Sequence, residues 1–467
     1  MSLVFSLLIA LAMGLCIARL LRPLAWSGAR ALPLLLCLSL GLGLGTSSLW
    51  FFLWLVIIGP HRSAFIAGEM GLLTVLVLLL LFFGRRSKPL SPLAATAAQE
   101  SPWWCWLPGA AFLVSLAAAV TAFSRYAAAE PHGAWDAWGA WNLRARFLYL
   151  GGFHWTDVFA PRGTLPHRDY PLLLSASVAR CWTYMQSDAQ RAPILIAFLF
   201  TFAIAGELLF SLALLRNRSQ GLIAATVLLA TPFFLILGTA QYADVPFAFF
   251  VLSAIVLLCL HERYLGAGNR GLALAGAMAG MAAWTKDEGG LFLLCLLLSH
   301  FSITAGGRGF AHYRRELASL LAGLLPVLAV VLFFKLRFAW QTGFVSSRGF
   351  WHRLHDASRV SVVFSAVGNA FLHFGAWSIS IPPLLILYFL LIGRERQEGR
   401  LAAKVGAATL ALTALGYLAV YLMTPLPVQW LLQTSLTRLC VQLYPSALFL
   451  LFLLARTPEE ALNQASP

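Results

Sequence analysis

The sequence predicts an all-α polytopic membrane protein, and three observations support this class. Hydrophobic residues make up 60% of the 467 residues and charged residues only 11%, whereas soluble domains carry about 25% charged residues. The mean hydropathy is +0.80. Apolar runs of roughly 20 residues, enough to cross a ~30 Å hydrocarbon core as a helix, recur from end to end. They are too long and continuous for barrel strands, so a helical bundle is expected.

The apolar runs follow one another in chain order, with short connections between most of them. We expect about 11 to 13 transmembrane helices, drawn from runs at about 3–20, 31–59, 67–84, 106–124, 193–215, 220–238, 245–261, 271–284, 289–303, 317–336, 371–392, 405–423 and 440–455. The first run has its basic residues after it rather than before it. We therefore interpret it as a retained span with an external N-terminus, not as a signal peptide.

The distribution of lysine and arginine fixes the expected topology, because these residues resist translocation. The net charge of +15 is not gathered into a soluble basic patch, so no nucleic acid partner is expected. One set of alternate connections carries most basic residues and is predicted to be cytoplasmic: Arg19, Arg22, Arg30, Arg85, Arg86, Lys88, Arg216, Arg218, Arg263, Arg270, Arg308, Arg314, Arg315, Arg394, Arg396, Arg400, Lys404 and Arg456. The opposite set of short connections carries Arg62, Lys286 and Arg438.

We divide the chain into four parts. Residues 1–84 form an N-terminal three-span segment, 85–105 a cytoplasmic linker, 106–303 the central functional module, and 304–467 a C-terminal transmembrane region. Two connections, 125–190 and 339–370, are too long for simple turns, and both fall on the predicted external side. Long loops on a rigid scaffold are where binding and catalysis concentrate.

The first long loop contains "EPHGAWDAWGAWNLRARFLYLGG". Here Trp138, Trp141, Ala145 and Leu148 recur at three- and four-residue spacing, which predicts an amphipathic helix lying in the membrane interface. Asp136 falls near its first turn. This aspartate is either an N-cap that accepts backbone N–H bonds or a working carboxylate, and the spacing alone does not choose between them.

Two further motifs place acids on the same predicted face. "HRDYPLLL" sets His167, Asp169 and Tyr170 before a second apolar helix that is too short to span, although a proline turn at a helix start explains it equally well. "QYADVP" sets Asp244 where a span emerges, and this residue too has a simple interpretation as a helix cap.

Cations occur on that face as well. "WTKDEGG" packs Lys286, Asp287 and Glu288 into one turn, where ion pairing within the turn is the simple interpretation. Arg438 stands alone before the last span, and snorkelling to the interface would explain it. The joint placement is more informative, because acids and cations meet on one face under a topology chosen without them, and polar groups at membrane depth are usually functional.

The order "WDAWGAWNLRARFLYLGG", "HRDYPLLL", "QYADVP", "WTKDEG" resembles the GT-C membrane glycosyltransferases, in particular the protein O-mannosyltransferases and lipid A aminoarabinose transferases. The resemblance covers about residues 106–303 well and the rest loosely. It implies a GT-C fold with two interfacial helices in the first external loop. The "TKDEG" segment lacks the proline of the corresponding motif in relatives, and three spans precede the first motif where relatives typically have one.

The resemblance implies a hexosyltransferase that moves a sugar from a polyprenyl-phosphate donor to a hydroxyl of a protein, lipid or polysaccharide acceptor. The catalytic residues it implies are Asp136 and Asp244, which are also the ligands that Mg2+ or Mn2+ would take if the enzyme uses a metal. The residues assigned to substrate binding are Trp135, His167, Asp169, Tyr170, Lys286, Glu288 and Arg438.

Two other function classes stay open. A transporter or lipid flippase would suit intramembrane charges, but the repeated halves and interrupted spans common in transporters are not recognisable in the sequence. A non-catalytic scaffold of a cell-envelope assembly complex would need Asp136 only as a cap. The short loops favour a bacterial inner membrane with an extracytoplasmic site.

Overall fold

The computed structural model describes residues 2–21, 31–84, 106–160, 168–264, 268–339, 353, 355–377, 380–395 and 400–465. Within these ranges the chain forms helices joined by turns, together with an isolated bridge between Arg394 and Ala455. The predicted all-α class is confirmed. The linker at 85–105 and much of the loop at 339–370 lie outside the described residues.

The described helices are α1 (Leu3–Leu21), α2 (Leu32–Ile57), α3 (Arg62–Gly84), α4 (Leu107–Ala129), α5 (Asn142–Leu150), α6 (Leu173–Met185), α7 (Arg191–Leu215), α8 (Arg218–Leu229), α9 (Pro232–Thr239), α10 (Asp244–Arg263), α11 (Arg270–Thr285), α12 (Glu288–His300), α13 (Phe310–Phe338), α14 (Ala357–Leu372), α15 (Ile381–Ile392), α16 (Leu401–Met423), α17 (Val428–Leu454) and α18 (Pro458–Ala465). A π-turn at Ala137–Trp141 leads into α5, and the 3₁₀ segment Gly152–Phe159 follows it.

Ten of the described helical segments are long and apolar enough to cross a membrane, or eleven if the bent pair α8 and α9 is one broken span. One of the ten is α12 together with the π-turn Phe301–Ala305 and the short helix Gly306–Arg308, which continue it to Arg308. The sequence predicts about 11 to 13, and two short helices account for the difference. α11 has 16 residues and α15 has 12. Every residue of α11 from 271 to 285 is buried, so protein rather than lipid surrounds this helix and its length need not match the hydrocarbon thickness.

The helical path is broken at two places inside the bundle. Pro232 lacks an N–H and disfavours a helical conformation at the residue before it, and the axes of α8 and α9 differ by 66°. The predicted span at 371–392 is likewise interrupted: α14 ends at Leu372, Gly375 adopts a φ of +99°, and α15 begins at Ile381. The apolar pattern of the sequence predicts neither interruption.

The two breaks meet each other. The N–H of Phe233 donates to the carbonyl oxygen of Gly375 at 3.2 Å. The hydroxyl of Thr231 lies 3.0 Å from the hydroxyl of Tyr444 on α17. Non-helical backbone at membrane depth is tolerated only where protein satisfies its polar groups, and the bond from Phe233 to Gly375 satisfies one donor and one acceptor.

Close packing of α11 against α13 sets the position of the site. A Cβ on Gly276 would lie 1.9 Å from the carbonyl oxygen of Leu320, and a Cβ on Gly323 would lie 1.7 Å from that of Ala273. Only glycine permits this approach, as is common where membrane helices cross closely. The two helices run parallel, so their C-terminal ends lie side by side at one end of the bundle.

The N-terminal segment joins the common core. Buried residues of α1 and α2 belong to the same hydrophobic cluster as those of α6, α7, α10 and α11. A buried ion pair ties α3 to α6: Arg180 Nε lies 2.6 Å from Glu69 Oε1, and the Tyr184 hydroxyl donates to Glu69 Oε2 at 2.6 Å. Arg180 also donates to the carbonyl oxygen of Ser6 at 2.9 Å.

The opposite end of the bundle carries a different set of ion pairs. Arg216 pairs with Glu395 and, at 2.8 Å, with Glu460. Arg308 lies 2.6 Å from Glu262. The described basic connections that the sequence assigns to the cytoplasm thus contribute to this end, whereas the aspartates of the three motifs lie at the other. Which end faces the cytoplasm stays a prediction.

Candidate active site

The first long connection contains the helices α5 and α6, whose interfacial position stays a prediction, and its tryptophans differ in exposure. Trp141, Ala145 and Leu148 are buried, whereas Trp138 is 48% exposed. The expectation that Trp138 shares an apolar face with Trp141 is wrong. The π-turn at Ala137–Trp141 adds a residue to the turn and changes the helical phase between the two tryptophans.

The second helix of this connection, α6, is enclosed by protein. Each of its residues from 173 to 184 is buried, and α6 lies against α1, α2 and α7. The hydroxyl of Ser175 donates to the carbonyl oxygen of Trp141 at 2.8 Å, which ties α6 to the π-turn. The helix therefore supports the first piece from within the protein.

A pair of tight turns brings the first-loop aspartate to the start of α10. Gly133 has a φ of +72°, and a Cβ there would lie 2.6 Å from the carbonyl oxygen of Ala240. Gln241 adopts a φ of +59°. Its amide donates to the carbonyl oxygen of Pro131 at 3.0 Å and accepts from Asn142 at 2.9 Å. Gln241 therefore holds the first long loop against the α9–α10 turn at two points, Pro131 before the turn at Gly133 and Asn142 after it.

Asp244 is the centre of the site. Its side chain has no exposed surface, and Lys286 Nζ lies 2.9 Å from Oδ1. Arg438 donates to Oδ2 from Nε at 3.2 Å and from Nη2 at 2.9 Å. The Gln442 amide donates to Oδ1 at 2.6 Å, and its orientation is fixed because its oxygen accepts from the Tyr417 hydroxyl at 2.7 Å. Asp244 therefore holds two cations in place.

Arg438 bridges the two aspartates. Its Nη1 lies 2.7 Å from Asp136 Oδ2, and its guanidinium carbon lies 4.5 Å from the ring centre of Tyr242. The hydroxyl of Tyr242 accepts the backbone N–H of Asp136 at 3.2 Å. The Asp136 side chain makes no capping hydrogen bond, so it is not an N-cap, and Arg438 turns inward instead of snorkelling.

Lys286 connects this centre to the second motif. Its Nζ lies 2.9 Å from Glu288 Oε1 as well as from Asp244, and 5.7 Å from the ring centre of Tyr170. Burial alone would lower the pKa of Lys286, but the carboxylates of Asp244 and Glu288 outweigh burial and raise it. The side chain therefore keeps its positive charge within the protein.

A second group of charges lies next to Lys286. Lys335, near the end of α13, donates to the carbonyl oxygen of Asp169 at 2.8 Å and forms a short ion pair with the carboxylate of Asp287. The Asp169 and Asp287 side chains hydrogen-bond each other. Arg144 donates to the carbonyl oxygen of Tyr170 at 2.6 Å and so holds the same loop from the other side.

Burial and proximity change the proton affinity of this group. Burial raises the pKa of Asp287, Lys335 opposes that increase, and the neighbouring Asp169 adds to it, so that the pKa reaches about 7. Two adjacent carboxyl groups resist double ionisation. Burial also raises the pKa of the Tyr170 phenol well above its ordinary value, with Glu288 and Asp287 adding to the increase, so Tyr170 stays neutral.

The structure brings together most residues that the sequence assigns to the site. The ion network contains Asp136, Asp244, Lys286, Glu288 and Arg438, with Asp169 and Tyr170 beside it. Trp135 is 55% exposed and packs edge-to-face on Trp138 at 6.0 Å, outside the network. His167 lies outside the described residues.

Other contributors were not singled out by the sequence. Asp287 was noted only as part of its charged turn, and Lys335 is a lone lysine near the end of an apolar run, which is a signal that the topology could have used. The sequence does not single out the remaining contributors, which are Arg144, Tyr242, Tyr417 and Gln442.

The residues do not fit a metal between the two aspartates as the resemblance implies it. The Arg438 guanidinium occupies the space between Asp136 and Asp244, and Lys286 and Gln442 take up the second oxygen of Asp244. In the parts of the chain that the structure describes, no group of three or more His, Cys, Asp or Glu side chains is arranged to hold a metal ion.

Comparison with known proteins does not assign the chain to a family. No protein-family model, curated protein or solved structure matches the chain. The chain is an integral membrane protein by its apolar helices, and a functional assignment depends on the residues and geometry of this site.

Proposed function

We propose that the protein is a glycosyltransferase that moves a sugar from a polyprenyl-phosphate donor to an acceptor hydroxyl on the extracytoplasmic face of a bacterial inner membrane. One observation carries the proposal: Arg438 of α17 and Lys286 of the turn between α11 and α12 converge on a fully buried Asp244 at one end of an apolar bundle. Two fixed cations next to the hydrocarbon suit the phosphate of a lipid-linked substrate. The acceptor is a protein, lipid or polysaccharide.

Phosphate binding would use Arg438 first. Guanidinium groups bind phosphate through paired, charge-assisted hydrogen bonds. Of its two carboxylate partners, Asp244 is fully enclosed, whereas the Asp136 side chain is 11% exposed and is bound through one oxygen. The donor phosphate would therefore displace Asp136 and leave the Asp244 contact intact.

Lys286 would stabilise the departing group. Breaking the bond between the sugar and the phosphate leaves an additional negative charge on polyprenyl phosphate. A pre-positioned ammonium stabilises charge that develops in the transition state, and such interactions are often the largest contribution to catalysis. Asp244 and Glu288 hold Lys286 at 2.9 Å each, so no reorganisation is needed during transfer.

The acids have distinct roles in this proposal. Asp136 is the less enclosed of the two carboxylates bound to Arg438; it would lie beside the donor phosphate and is the residue that the resemblance makes catalytic. Asp244 touches no open space and positions the two cations. The polyprenyl chain would lie in the bilayer beside the site, and no step uses a metal.

The test is an assay of purified protein with a panel of polyprenyl-phosphate sugars and cell-envelope acceptor fractions, scored by release of polyprenyl phosphate. Arg438→Lys keeps the charge but cannot bridge two carboxylates and a phosphate, so release should fall by at least tenfold. Arg62→Lys, which changes an arginine bonded to Tyr149, is the matched control. No release from the wild type with any donor would overturn the proposal.

The side of the membrane needs its own test. Reporters fused after Arg218 and Arg400 should read cytoplasmic, and a reporter at Gly163 should read external. Reversed signals would put the site in the cytoplasm and remove the extracytoplasmic part of the proposal.

A transporter or flippase is the second candidate, and one observation favours it. Broken helices that meet inside a bundle are typical of transporters, and the 66° bend between α8 and α9 lies against the turn at Gly375. The two functions differ in their products. Proteoliposomes that move an intact polyprenyl-phosphate sugar across the bilayer, without releasing polyprenyl phosphate, would favour transport.

A further inference from the structure

The proposed roles leave one acidic group unused. Asp169, from the loop before α6, and Asp287, from the turn between α11 and α12, form an acid pair whose carboxyl groups hydrogen-bond each other. Lys335 from α13 contacts both residues, through the Asp169 carbonyl oxygen at 2.8 Å and the Asp287 carboxylate. Three separate elements thus build the pair immediately next to Lys286.

Exposure distinguishes Asp287 from the other acids of the described site, including its partner Asp169, which is buried. The side chain of Asp287 is 31% exposed, against 11% for Asp136, 17% for Glu288 and none for Asp244. A substrate hydroxyl can therefore reach Asp287 more readily than the others. A general base must come within hydrogen-bond reach of the proton that it takes.

The environment also suits proton transfer. The charged or titratable groups around the pair are Lys335 on α13, Arg144 on α5, and Tyr170, Lys286 and Glu288 beside the two aspartates. Burial and Asp169 raise the pKa of Asp287 to about 7 although Lys335 opposes them. Bases with a pKa near the working pH are the most effective, because they are both available and able to hold the proton.

We propose that Asp287 is the general base of the sugar transfer and that Asp169 and Lys335 are positioning residues that hold its carboxyl group. This inference rests on the proposed function. The acceptor oxygen forms a bond to the anomeric carbon as the bond from that carbon to the phosphate oxygen breaks. The electron pair leaves with polyprenyl phosphate, and the hydroxyl proton passes to Asp287. Asp136 remains the carboxylate on the donor side.

The pH dependence of kcat for polyprenyl phosphate release tests this division of roles. Asp287→Asn should lower kcat by roughly 10²- to 10⁴-fold and remove the acidic limb of the pH profile, the range in which kcat rises with pH as the base loses its proton. Asp287→Glu should restore part of the rate. Asp136→Asn should keep that limb at its wild-type pH. Asp157→Asn, which changes a 62% exposed aspartate in the first long loop, is the matched control.

The positioning residues predict shifts in opposite directions. Asp169→Asn removes a neighbouring acid, so the limb should move to lower pH. Lys335→Met removes the cation, so the limb should move to higher pH. A merely structural role would lower activity without moving the limb, and shifts in the same direction would overturn the role of the pair.

A measurement without substrate keeps the inference separate from the proposed function. Infrared titration of the purified protein should show a carboxyl group that titrates near pH 7, absent from Asp287→Asn. No such titration, or its survival in Asp287→Asn, would overturn the inference. Release by the wild type with an unchanged pH profile in Asp287→Asn would overturn the base assignment alone. No release with any donor would overturn the proposed function and this catalytic role with it.

Discussion

Replacing each of the two bridged aspartates by asparagine should separate a structural role from a catalytic one. The Asp244 side chain is fully enclosed and accepts hydrogen bonds from Lys286, Arg438 and Gln442 at 2.6 to 3.2 Å. Removing one partner of a buried ion pair costs about 3 to 5 kcal/mol. Because asparagine keeps one acceptor oxygen, we expect Asp244→Asn to lose about 3 kcal/mol of stability, at the lower end of that range.

Asp136→Asn should behave differently. This side chain has a single ion-pair contact, at 2.7 Å, to an arginine that stays bound to Asp244. We expect a loss of about 1 kcal/mol, near the net value of one hydrogen bond, together with a fall in polyprenyl phosphate release of at least tenfold. Unfolding of the purified variants in detergent, measured beside release, gives both quantities. Equal destabilisation by the two variants, or full release by Asp136→Asn, would refute this division.

Three other predictions concern the scaffold and the pH response. Gly323→Ala should destabilise the bundle measurably because its Cβ would lie 1.7 Å from a backbone oxygen, while Gly290→Ala, with nothing within 4 Å, should be tolerated; thermal unfolding compares them. Trp141→Ala should cost about 3 to 5 kcal/mol and Trp138→Ala less than about 0.5 kcal/mol, and equal costs would contradict the phase change at the π-turn. Asp287 has a folded pKa of about 7 against an ordinary 3.8, so the native state binds the extra proton between these values, and wild-type stability should fall relative to Asp287→Asn as pH rises from about 4 to about 7.

Local patterns predicted the elements that depend on local sequence. The apolar runs identified most long helices because burial in lipid requires continuous apolar residues. The same runs could not reveal the break at Gly375, since its carbonyl oxygen accepts a hydrogen bond from Phe233, which is distant in sequence. The π-turn was missed for a related reason: a wheel drawn with a constant period cannot include an added residue.

The site was predictable only to the extent that charge is rare in this chain. Asp136, Asp244, Lys286 and Arg438 stand out among apolar residues, and a topology based on basic clusters put them on one face. Their pairing could not be predicted, because each had an adequate local explanation as a cap or an interfacial anchor. The role of Tyr417 could not be predicted either, since nothing in its sequence context distinguishes a hydroxyl that orients Gln442 from that of an ordinary packed aromatic ring.

The bridging arginine also has a consequence for biogenesis. Arg438 belongs to α17, whereas the carboxylates that it joins belong to the loop after α4 and to the start of α10. While the ribosome is still making α16, Asp136 has no guanidinium partner and Asp244 depends on Lys286 for compensation. Unpaired charge at membrane depth is costly, so insertion of α17 completes the polar centre, and a chain stalled before it would present an unfinished bundle to membrane quality control.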